Sequence, residues 1–185
     1  MFNVFDLCFN KNDGRLGLIV NKAIESFPPR YFVGHSDTYN PAAYYEYMCH
    51  NFNMNLLLEE HLYIIAFDEF GEPLGVFEMS HGSTSETCVD RQGIMERILL
   101  IGARFFVIFH NHPRCYADSI KNLNLIDEMT TRDVVRMGLI MGTPCLDHII
   151  IGTDDYLSIG DETPVFQEEW EAFAKANNIE CTEEE

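Results

Sequence analysis

The chain has 185 residues, which at about 150 residues per domain is one domain with a modest extra element. Hydrophobic residues make up 46% and charged residues 23%, so a hydrophobic core is within reach and wholesale disorder is excluded. Acidic side chains number 30 against 12 Lys plus Arg, a net charge of −18, which argues against autonomous binding to nucleic acid or to an anionic membrane surface.

Residues 2–9 and 16–20 are apolar runs on either side of Lys11-Asn12-Asp13-Gly14, a pattern that predicts a β-hairpin because Asp-Gly favours a tight turn. The first eight residues carry no basic stretch ahead of their apolar positions, so no signal peptide is expected. Pro28-Pro29 opens a connector that runs to about residue 38. Asn40-Pro41 reads as a helix N-cap with proline in the first turn, and Tyr45, Met48 and Phe52 supply the apolar spacing behind it. Residues 61–67 and 74–79 read as strands around a turn at 68–72. Ile94, Ile98 and Ile101 mark an amphipathic helix that Gly102 ends. Phe105-Phe106-Val107-Ile108-Phe109 is continuously apolar and reads as a strand covered on both faces. Residues 111–122 read as a polar loop. Ile126, Thr130, Val134, Met137 and Met141 then follow helical spacing, and residues 146–151 form another buried strand. A terminal helix is expected over 166–176, with a frayed acidic tail at 181–185.

This alternation predicts an α/β chain. No stretch approaches the ~18 uncharged apolar residues of a membrane span. Six scattered cysteines without a Cys-x-x-Cys pair are expected to be reduced thiols in a cytoplasmic protein.

His110-Asn111-His112-Pro113 follows the buried strand directly. Residues i and i+2 of an extended backbone point the same way, so both imidazoles can converge on one ion. An open catalytic zinc site needs one more protein ligand and a water. Taken alone the tripeptide fits two surface histidines at a strand end better, because short patterns match by chance. Asp147-His148 is a second tempting pair, but adjacent strand residues face opposite ways, so both are read as structural. His35, His50, His61 and His81 show no metal-ligand spacing.

The surroundings extend the pattern. Glu60-His61-Leu62, Val76-Phe77-Glu78-Met79-Ser80-His81-Gly82, the helix with Arg91, Phe109-His110-Asn111-His112-Pro113, Leu146-Asp147-His148-Ile149-Ile150-Ile151-Gly152 and Tyr156-Leu157-Ser158 occur in that order. Together they resemble the JAB/JAMM metalloprotease-like domain of bacterial RadC proteins. The resemblance implies a cytidine deaminase-like JAB/MPN fold over residues 40–162, a mixed, curved sheet with a helix on either side, while the hairpin and connector at 1–39 and the terminal helix and tail at 163–185 lie outside it. It implies a zinc-dependent hydrolase acting on an amide or isopeptide bond of a protein or peptide, and a DNA-repair name would come with the family. Zn2+ would be held by His110, His112 and an aspartate, with Glu60 as general base.

The family's Ser-x-x-Asp falls on Ile120 and Leu123 if counted forward from His112, and neither residue fits. Sliding by one gives Ser119 and Asn122. Counting back from Asp147 places the aspartate at Asp127 and the serine at Asn124, with a four-residue insertion in the loop (124 − 120 = 4), where indels concentrate. Asp127 is preferred on that count, with Asp118 and Cys115 as alternatives. Asn124 would serve as an amide donor where the family has a hydroxyl, and equally as a helix cap. A second reading is a JAB-like module that binds a protein partner without turnover.

Overall fold

The computed structural model describes residues 2–9, 15–29, 40–81, 90–116, 120–121 and 123–179. The turn at 11–14, most of the connector, His35, Asp118, Ser119, Asn122 and the acidic tail lie outside the described residues. In chain order the elements are β1 (Phe2–Phe9), β2 (Leu16–Ile24), α1 (Pro41–Phe52), β3 (His61–Phe67), β4 (Pro73–His81), α2 (Arg91–Ile101), β5 (Phe105–Asn111), α3 (Leu125–Met141), β6 (Cys145–Ile151), β7 (Tyr156–Ser158), α4 (Ile159–Glu162) and α5 (Val165–Ala176). Among the described residues the seven strands form one sheet, ordered β2-β1-β4-β3-β5-β6-β7. It is mixed: β1/β4 and β5/β6 are parallel, and the other neighbours are antiparallel.

The central strands are apolar throughout because helices cover both of their faces. Tyr63, Ile65, Phe67, Val107, Phe109, Ile149 and Ile151 pack with Tyr44, Met48 and Phe52 of α1. Leu62, Ile64, Phe106 and Ile108 point the other way, onto Ile94 and Ile98 of α2 and Val134 and Val135 of α3. Phe67, Phe106 and Phe109 are fully buried, and each stabilises the fold by roughly 1.5–3 kcal/mol of transfer free energy. The caps agree with the sequence. The Asn40 side chain accepts from the Ala42 amide, and Gly102 closes α2 at φ 75°.

Three features depart from the expected pattern. First, β2 continues to Ile24, because Asn21 and Lys22 sit on the solvent-exposed edge of the sheet while Ile24 is buried opposite Phe2. Second, β5 carries through His110 and Asn111, which stay in register with Ile150 and Ile151, so the strand ends inside the polar motif. Third, α3 buries Thr131, Val134, Val135 and Gly138, whereas Ile126 and Met141 face solvent. The helix lies against the sheet through its small residues. A Cβ on Gly138 would lie 2.8 Å from the Thr143 carbonyl oxygen and 3.0 Å from the Cys145 nitrogen.

The N-terminal hairpin joins the sheet. Val4 and Phe5 pair in parallel with Val76 and Phe77. Gly75 makes room for Phe5, since a Cβ there would fall 2.6 Å from that ring. Among the described residues no helix is long and apolar enough to cross a membrane.

Candidate metal centre

Side chains alternate along β5, so His110 continues the row of Phe106 and Ile108 onto the face covered by α2 and α3. The His112 amide donates to the Ile151 carbonyl at 2.9 Å, which prolongs the extended backbone beside β6 by one residue and keeps His112 on the His110 side. The following loop is tied down in turn. The Thr153 amide donates to the Cys115 carbonyl at 2.7 Å, a close approach in which a Cβ at Gly152 would lie 2.8 Å from that oxygen.

Helix α3 begins over this strand end. Asn124 is its N-cap, accepting from the Asp127 amide at 2.9 Å and donating through its side-chain nitrogen to the Asp127 carboxylate. The capped first turn holds Asp127 against the histidines. Its Oδ2 is 3.0 Å from His112 Nε2 and its Oδ1 is 3.5 Å from His110 Nε2, while the two Nε2 atoms are 2.8 Å apart. His110, His112 and Asp127 are the group of three potential metal donors found among the described residues, and Cys115 is not part of it.

This donor set fits a zinc ion. Tetrahedral bonds of about 2.0–2.1 Å hold ligand atoms about 3.3 Å apart, close to the spacing seen, so only small shifts are needed. The two imidazole nitrogens that face each other at 2.8 Å share a proton, or both turn their lone pairs to one cation beside them. His112 and Asp127 remain partly exposed, which leaves an approach from solvent.

Burial, reinforced by His148, pushes His110 well below the ordinary histidine range, against the pull of Asp127. Burial alone would raise the Asp127 carboxyl, but the His112 hydrogen bond and the nearby His110 outweigh it and hold it below the usual value. A His110 held neutral and an Asp127 held ionised are the states that ligation requires of them.

Glu60 sits one residue ahead of β3 and is partly buried. In the ladder Leu62 lies opposite His110, and Glu60 precedes it by two residues, just outside the strand. Asn111, between the two histidines, fastens this segment. Its amide donates to the Glu59 carbonyl at 3.0 Å and its oxygen accepts from the His61 amide at 2.7 Å, so the bonds straddle Glu60. Asn111 faces away from His110, and its buried side chain had no place in the metal pattern read from sequence.

Asp147 and His148 diverge as neighbours in a strand must. Asp147 accepts from Ser158 Oγ at 2.7 Å and from the Gly160 amide at 2.8 Å, organising the β7–α4 corner. His148 turns the other way. Its Nε2 lies 2.7 Å from His110 Nδ1 and its Nδ1 lies 2.7 Å from Thr131 Oγ1. Sequence reasoning left His148 without a link to the site. The available signal was parity, since His148 pairs with Ile108 and therefore shares the face of His110.

Comparison with known proteins agrees with this architecture. Residues 38–164 match the model of the RadC-like JAB domain, and the chain belongs to that family. It is similar to a UPF0758 protein of Coprothermobacter proteolyticus, 29% identical over 119 residues that cover 63% of this chain and 49% of the relative. A UPF0758 protein of Latilactobacillus sakei is 28% identical over 105 residues (56% of this chain, 45% of the relative). One from Acaryochloris marina is 29% identical over 111 residues (60% and 44%). The chain thus spans a little under half the length of these curated relatives.

Proposed function

We propose that this chain is a zinc-dependent hydrolase that cleaves an amide or isopeptide bond in a protein or peptide. The observation that carries the reading is the convergence of His110, His112 and Asp127 at the end of β5, beside the segment that holds Glu60. Three protein ligands leave a coordination position open for water or substrate. When bound, zinc would supply Lewis acidity, lowering the pKa of water and polarising a carbonyl.

The protein's own groups divide the remaining work. Glu60 takes a proton from the attacking water and later returns it to the leaving amine. Asn111 fixes the backbone on both sides of Glu60. Asn124 commits one N–H to Asp127, and the second N–H of its amide is the one available for a developing oxyanion. That engagement with Asp127 also favours the second reading, a protein-binding module with the metal in a structural role.

Elemental analysis and turnover separate these outcomes. One zinc per chain is expected in the wild type, and none in the double variant His110→Ala/His112→Ala. Asp127→Ala should lose zinc on dialysis while Asp118→Ala keeps it, because a carboxylate helps neutralise the ion. Glu60→Gln should retain zinc yet abolish cleavage of a peptide mixture followed by mass spectrometry. Equal zinc in the wild type and the double variant would overturn the site, and cleavage by Glu60→Gln at the wild-type rate would overturn the base. Zinc binding with no cleavage of any peptide by the wild type would favour the binding module.

A further inference from the structure

Thr131 and His148 lie outside the three donor residues yet join two of them. The proton positions follow from the partners. The hydroxyl of Thr131 has one proton and donates it to the Asp127 carbonyl at 2.7 Å, an oxygen that can only accept. Toward His148 Nδ1, also 2.7 Å away, Thr131 Oγ1 therefore offers a lone pair, so that nitrogen carries the ring proton. The lone pair of His148 Nε2 is then aimed at His110 Nδ1, 2.7 Å away, and His110 must donate there. This leaves His110 Nε2 unprotonated on the side where His112 and Asp127 converge.

We propose that His148, backed by Thr131, is a positioning residue that locks His110 into the one neutral tautomer able to present Nε2 to a metal ion. The inference rests on the reading of His110, His112 and Asp127 as the ligands. The opposite tautomer of His148 would donate to His110 Nδ1 and place the His110 proton on Nε2, against the ion. Both rings are buried, so solvent cannot readily replace either bond. The chain of bonds also closes on itself, running from the backbone of one ligand, Asp127, through Thr131 and His148 to another, His110. Movement of α3 relative to β6 would therefore disturb two ligands together.

The wild type provides the first test. In the zinc-loaded protein, long-range proton–nitrogen NMR of the histidine rings should show His110 and His148 both protonated on Nδ1. A His148 protonated on Nε2 overturns the inference. Zinc affinity, measured by competition with a chromophoric chelator, provides the second. His148→Phe keeps a ring without an acceptor, and Thr131→Val removes the hydroxyl that selects the tautomer. Each should lose about 10–100-fold, while His148→Gln, whose oxygen can reach the Nε2 position, should stay within about threefold of wild type. Wild-type affinity in both His148→Phe and Thr131→Val, with His110→Ala losing zinc, overturns this inference and leaves the zinc site standing. A His110→Ala variant that keeps its zinc overturns the site itself. Should His148→Phe fail to fold, Thr131→Val and the wild-type tautomers decide the matter.

Discussion

At the scale of single residues, the protonation of the buried histidines sets how the metal-free protein responds to acid. Burial, against the pull of Asp127, pushes His148 down to about 4, and His110 falls well below its ordinary range for the same first reason. In the unfolded chain both charge near 6.5. Between those values the unfolded state binds more protons, so stability falls as the pH drops from about 6.5 toward 4. The slope approaches about 1.4 kcal/mol per pH unit for each histidine that stays neutral. Asp127 acts with the same sign in a lower window: its contribution is complete above the usual carboxylate range and is lost as pH falls through its depressed value. Urea denaturation of the metal-free protein should show a flat plateau above pH 6.5 and a decline below it, which His148→Gln should make shallower. An unchanged slope in that variant would show that His148 charges in the folded state.

The donor residues were legible because they obey local rules. His110 and His112 are two apart on a strand end, and Asp127 falls in a capped first turn that Asn124 announces. Resemblance supplied the expectation that these separate pieces meet. His148 was not legible for a geometric reason. Its contact with His110 crosses two parallel strands whose register shifts between Phe106 and Val107, and a shift of one residue moves a side chain to the opposite face. The role of Asn111 was hidden in the same way, because its partners are backbone atoms of β3 and the turn before it, about 50 residues away.

At the scale of elements, the packing of α3 on β6 controls the distance between Asp127 and Thr131 on one side and His148 on the other. The apolar periodicity of α3 pointed to Ile126 and Met141 as buried, yet both are exposed, and the helix lies on Thr131 and Gly138. The middle of the predicted stripe holds, since Val134 is fully buried, but toward either end the close approach to the sheet requires small side chains. Glycine inside a helix ordinarily costs about 0.5–1 kcal/mol relative to alanine. At Gly138 the sign should reverse, since a Cβ would sit 2.8 Å from the Thr143 carbonyl oxygen and 3.2 Å from Pro144 Cα, backbone atoms that cannot rotate away. Gly138→Ala should therefore destabilise the protein, by roughly 1–3 kcal/mol on the scale of overpacked cores. It should also weaken zinc retention, since the shift propagates along α3. Chemical denaturation checks the first effect and elemental analysis the second. A stabilised variant would mean that the turn at 142–144 yields easily. On its outer side α3 is held by α5, where buried Glu169 accepts from both Arg132 and Arg136.

At the scale of the whole molecule, the hairpin and the charge bear on partners. The hairpin lies outside the matched residues 38–164, yet it continues the same sheet through β1 and β4, so the fold is larger than the family domain. Sequence reasoning found the hairpin from its turn and could not place it, because a parallel pairing between Phe5 and Phe77 is a contact across more than 70 residues. Net charge carries the remaining expectation. A protein that binds duplex DNA gains affinity by releasing counterions from phosphates that its Lys and Arg neutralise. Here 30 acidic residues oppose 12 Lys plus Arg. Several of those few cations are already paired: Arg91 with Asp133, Arg97 with Asp6, and Arg132 and Arg136 with Glu169. No measurable binding of this chain to duplex DNA is expected at physiological salt. Fluorescence anisotropy with a labelled duplex over a range of salt concentrations checks this. Micromolar affinity with a steep salt dependence would mean that a basic surface forms in spite of the overall charge, and a nucleic-acid partner would then take the place of the protein or peptide proposed above.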